Sequence, residues 1–110
     1  MKTQLNRGHK RRLMYVENKD GEIDGANGRI GWVGFSKSGQ TIYYRGRELT
    51  KLKGQDVRGN FCDATTGEEF WVSGVKKRGS NAHWAEPATV AIDADAQADY
   101  DALRARQKSA

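Results

Sequence analysis

The stretch GQTIYYRGRELTKLKG, Gly39 to Gly54, places two adjacent tyrosines directly before Arg45, Arg47, Lys51 and Lys53, and Trp32 lies just upstream. Rings and cations at this density can perform one kind of chemistry. Aromatic faces stack nucleic-acid bases without regard to sequence, and Lys or Arg hold the intervening phosphates by releasing their counterions. Trp32 and Tyr43 are the expected stacking platforms, with Arg45, Arg47, Lys51 and Lys53 as phosphate contacts. Lys37, in the turn between them, and the short cluster Lys76, Lys77 and Arg78 extend the expected nucleic-acid-binding set.

Other chemistries find little to work with. Zinc needs about four soft or borderline ligands in close clusters, and one cysteine with His9 and His83 does not supply them. Cys62 and His83 could form a nucleophile and base, but a lone strand cysteine reads first as a small buried apolar residue. Glu68 and Glu69 are strand neighbours and point to opposite faces, so they are not a general acid and base pair. No dinucleotide fingerprint, phosphate-binding P-loop or HExxH motif occurs. The expectation is a protein that is not an enzyme and holds no metal or cofactor.

The chain must position these residues with a modest core. Its 110 residues fit one domain, apolar residues make up 36%, and 13 glycines raise the share of turns over long helices. A single cysteine excludes an internal disulfide, and no apolar stretch approaches the ~18 residues of a membrane span. Together these lead to an expectation of a soluble, cytoplasmic protein without membrane association. The net charge of +5 favours polyanionic partners, and the cations come in blocks, Met1–Val16 and Arg29–Arg58, separated by the acids of Glu17–Asp24.

Residues 1–10 lack apolar periodicity and read as a flexible basic arm; residues 11–110 read as one small β-rich domain. Strands are expected at about Arg11–Asn18, in RIGWVGF, in QTIYYR, at Asn60–Asp63, at Glu69–Ser73 and in TVAI. A four-residue loop Ser36–Gly39, with Gly39 at positive φ, would set Val33 opposite Ile42. It would put Val33, Phe35, Ile42 and Tyr44 on the core side and Trp32, Thr41, Tyr43 and Arg45 outside. A three-residue loop would slip the pairing by one and bring Trp32 to the core side. Asp93 is placed to cap a helix running to about Arg106, with Ala96, Tyr100 and Leu103 as its apolar stripe. The fold class is mainly β: a small SH3-like antiparallel barrel or bent sheet of five or six short strands, with a C-terminal α-helix.

From Leu13 to Tyr100, through GFSKSGQTIYYRGRE and TGEEFWVSG, the chain resembles a family of small uncharacterised bacterial proteins whose members are often labelled deoxyxylulose-phosphate synthase. A thiamine-diphosphate enzyme needs large α/β domains to hold its cofactor, and 110 residues do not provide them. The resemblance therefore implies a bacterial setting and no activity. The expected function is a small binding module for RNA or single-stranded DNA, using an aromatic and basic strand face. The alternative is a protein-interaction module, an adaptor or subunit of a larger complex, in which Trp71 and Trp84 take a partner.

Overall fold

A computed structural model describes residues 10–53, 59–76 and 90–109, with side chains through residue 105. Most of the expected arm, together with Lys77, Arg78, His83 and Trp84, lies outside the described residues. Among the described residues no helix is long and apolar enough to cross a membrane.

Among the described residues seven strands form: β1 Lys10–Asn18, β2 Gly28–Phe35, β3 Thr41–Tyr44, β4 Arg47–Lys51, β5 Phe61–Asp63, β6 Glu69–Gly74 and β7 Val90–Ile92. The first six make an antiparallel circuit, because β1 pairs with β2 on one side and with β6 on the other. The barrel is thus closed, which removes the free edges a bent sheet would leave. β7 is a correction to the all-antiparallel expectation, for it runs parallel to β2, with Val90, Ala91 and Ile92 opposite Gly28, Arg29 and Ile30. A 3₁₀ turn, Ala94–Ala96, packs on β2 and leads into the helix α1, Gln97–Ser109.

Alternation decides what fills the barrel. Val16 of β1, Val33 of β2, Ile42 and Tyr44 of β3, Leu49 of β4, Phe61 of β5, and Phe70 and Val72 of β6 meet inside, with Ile23 closing one end from the β1–β2 loop. Each of these is less than a tenth exposed, and burial of a large apolar side chain stabilises by roughly 1.5–3 kcal/mol. Phe35 packs against this cluster but stays half-buried.

The β2–β3 pairing preserves the expected faces and corrects the expected register. Phe35 lies opposite Ile42 and Gly34 opposite Tyr43, so Val33 stands beside Tyr44 and not Ile42. The Ser36 N–H donates to the Thr41 carbonyl at 2.9 Å, which starts the loop one residue later than expected. Shifting the loop by one moves the pairing by two, and a two-residue shift returns every side chain to its original face. Gly39 does take positive φ, 77°, as a turn of this length requires. Cys62 is a second correction: it lies half-buried on β5 between Thr50 and Glu69, not sealed in the core.

Candidate functional site: an aromatic groove on the barrel wall

Across β1, β2, β3 and β4 one transverse row reads Arg11, Gly34, Tyr43, Glu48, each residue directly paired with the next. All four lie on the face opposite the core residues Val33, Ile42 and Leu49. Gly34 has no side chain, so this row carries a gap between Arg11 and Tyr43. Trp32, two residues before Gly34 on the same face of β2, borders that gap. The result is an open groove of about 700 Å³, lined by Trp32, Tyr43, Arg11, Arg45, Arg47 and Glu48 among others.

Trp32 is half-buried and held in place. Its Nε1–H donates to the Asp95 carbonyl at 3.0 Å, which ties the ring to the 3₁₀ turn. The Arg11 guanidinium stands 5.9 Å from the ring centroid, within cation–π range. Tyr43 is also half-buried.

At the groove's end the strand pattern breaks, and a buried polar cluster fills the break. β3 pairs with β2 only at Gly34 and Phe35, and β7 only at Gly28 to Ile30, so β2 has a seam between them. Asp93 enters that seam. Its N–H donates to the Ile30 carbonyl at 2.9 Å, and its carboxylate accepts from Tyr44 Oη at 2.5 Å, Arg29 Nε at 2.9 Å and Arg45 Nη1 at 3.2 Å. Gly31 makes the approach possible, since a Cβ there would fall inside the carboxylate and 2.8 Å from the Tyr44 hydroxyl. Burial, and then the hydrogen bond to Asp93, push the Tyr44 phenol well above its usual range. The expected capping role of Asp93 is corrected here: its side chain makes no cap bond to the helix, because a carboxylate buried beside two arginines is better satisfied by them.

Arg45 is not the last residue of a strand. Arg45 and Gly46, with φ of 47° and 79°, form the two-residue turn between β3 and β4, with Tyr44 opposite Arg47. A left-handed conformation costs a residue with a side chain roughly 1–2 kcal/mol. The bonds that Arg45 makes offset this: Nε reaches Asp24 Oδ2 at 2.6 Å and Nη1 reaches Asp93. Arg47 Nη2 joins from the side at 3.2 Å to Asp24 Oδ1, and the Arg29 Nη1 donates to the Ile23 and Asp24 carbonyls. Its hydrogen bonds from Arg45 and Arg47 pull the exposed Asp24 carboxyl down to about 2.

The expected site residues thus divide. Trp32, Tyr43, Arg45 and Arg47 meet at one groove. Lys37, exposed in the β2–β3 turn, Lys51 and Lys53, at the far end of β4 on or beyond the parity of core Leu49, and Lys76, after β6, do not line it. Sequence reading missed Arg11, Asp24, Glu48, Asp93 and Asp95. Arg11 carried a signal, since it pairs with Gly34 once β1 and β2 are set antiparallel; the acids carried none at short range. The groove is also less basic than its sequence implied, because three arginines and three acids line it. Among the described residues no group of three or more His, Cys, Asp or Glu is arranged to hold a metal ion. Comparison with protein-family models, with curated proteins and with solved structures finds no match.

Proposed function

We propose that the barrel is a non-catalytic module that binds single-stranded RNA or DNA across the β1–β4 wall, with bases on Trp32 and Tyr43. The observation that carries this reading is the gap at Gly34, flanked by two outward aromatic residues and bordered by Arg11. Gly34 itself is buried, so a base would lie against the Trp32 and Tyr43 side chains that rise beside it, and stacking on an aromatic contributes about 1–3 kcal/mol per base. Arg11, beside the Trp32 ring at 5.9 Å, supplies a further cation at the groove. Arg45 and Arg47 serve phosphates by exchanging Asp24 for the incoming oxyanion, since Asp24 is exposed and, among the described residues, its carboxylate is held by those two side chains.

The test is titration of the full chain with a fluorescent single strand at two salt concentrations, following tryptophan quenching in parallel. The reading expects quenching together with affinity that falls as salt rises, with a slope near −0.7 per phosphate contact. Salt-insensitive behaviour, or no quenching at any concentration, would remove it. Recovery of one stoichiometric protein partner in nuclease-treated extract would favour the interaction-module reading instead.

A further inference from the structure

Tyr43 has a carboxylate next to it that the fold leaves unused. Glu48 is directly across the strand pair from Tyr43, a separation of about 5 Å between Cβ atoms. Its side chain is exposed and makes no hydrogen bond or ion pair with any described residue. The arginines nearby do not neutralise it, because Arg45 and Arg47 are directed to Asp24 and Asp93. Asp93, by contrast, is saturated by three donors. An unpaired acid in a groove for a polyanion weakens contact with every phosphate, so it acts against general adhesion and in favour of discrimination.

We infer that Glu48 reads the Watson–Crick edge of the base stacked on Tyr43 and that the groove prefers guanine. This rests on the single-strand reading above. A carboxylate only accepts hydrogen bonds, and its two oxygens match two parallel donors. Guanine alone presents such a pair, N1–H and N2–H, side by side. Cytosine and adenine each present one amino donor next to a ring-nitrogen acceptor that repels the second oxygen, and uracil presents one N–H between two carbonyls. Stacking on Tyr43 strips water from the carboxylate, which strengthens the matched pair and penalises the mismatched ones. Single-stranded bases are open to recognition on this edge, whereas duplex pairing would hide it.

The experiment uses four labelled oligouridylates of about nine nucleotides, within the usual site size, carrying a central guanine, adenine, cytosine or uracil. The full chain is titrated with each at one salt concentration, alongside Glu48→Gln and Asp95→Asn. Guanine should bind about tenfold tighter than uracil or adenine, the adenine probe controlling for purine stacking. Glu48→Gln should bring the four probes within about twofold while binding the all-uracil strand as well as or better than the wild type does. Equal wild-type affinity for all four probes, with salt-dependent binding intact, overturns the guanine preference and leaves the stacking function standing. A preference that survives Glu48→Gln but disappears in Asp95→Asn overturns the assignment to Glu48. Failure of every probe to bind removes both the preference and the single-strand reading.

Discussion

Tyr43 and Tyr44 are adjacent and identical in covalent structure, and the barrel wall gives them different environments: Tyr43 is half-buried on the outer face, whereas Tyr44 is buried in the core with its hydroxyl on Asp93 at the groove's end. Tyr44→Ala should lower unfolding free energy by about 3–5 kcal/mol in a urea titration, the range for truncating a large buried aromatic. Tyr44→Phe isolates the hydroxyl and should cost about 1–3 kcal/mol, since it leaves the buried carboxylate short of a donor. The same environment governs ionisation. The Tyr15 phenol, buried and hydrogen-bonded to Glu17 Oε1, is raised like that of Tyr44. A group whose folded pKa is raised contributes stability below its unfolded value of 10.0, lost as pH climbs beyond it. Phenolate absorbance of the folded protein near pH 11 should therefore report no more than two of the four tyrosines. Four phenolates at that pH, with far-ultraviolet dichroism unchanged, would contradict the buried network.

At the scale of elements, the β3–β4 hairpin shows where the sequence was legible and where it was not. Strands β1, β2, β3, β5, β6 and β7 sit where alternation or short apolar runs between turn formers placed them. β4 was hidden, because RELTK carries one apolar residue, Leu49, among charges and a threonine. Its turn was hidden as well: positive φ at arginine is uncommon, so YYRGR reads as a continuing strand. The acids were illegible for another reason. Asp93 meets Tyr44 and Arg29 across separations of 49 and 64 residues, and no local pattern encodes such a meeting. Asp24 pins this hairpin to the β1–β2 loop, and its depressed pKa fixes the sign of its pH dependence. The stabilisation is complete above the unfolded value of 3.8 and is lost as pH falls through about 2. Wild type should thus melt above Asp24→Asn at neutral pH, and the gap should close toward pH 2; a gap that is constant across this range would exclude the clamp. Asp24→Asn also releases Arg45 and Arg47 to phosphates, so single-strand affinity should rise and its salt slope steepen. Weaker binding by this variant would show that Asp24 does not compete with the ligand.

For the whole molecule, closure of the barrel is what gathers a few aromatic residues beside one groove. Because β1 pairs with both β2 and β6, the wall bearing Arg11, Trp32, Tyr43 and Glu48 is braced from both sides, and Asp93 locks the seam where β3 and β7 leave the second edge of β2 without a ladder partner. Alternation alone predicted a barrel or a bent sheet; it did not distinguish them, since closure depends on which distant strands meet. The chain's charge of +5 misled in the same way, for a total says nothing of the balance in a groove where arginines and acids are equal in number. Single-strand binding at such a groove would therefore depend on stacking more than on charge. Its most direct test is the single-strand affinity of Tyr43→Ala beside its melting temperature. Tyr43→Ala should remain folded, losing less stability than Tyr44→Ala because Tyr43 is only half-buried, and its affinity should be weaker by about 1–3 kcal/mol for every sequence tried. Wild-type affinity in a folded Tyr43→Ala protein would contradict it.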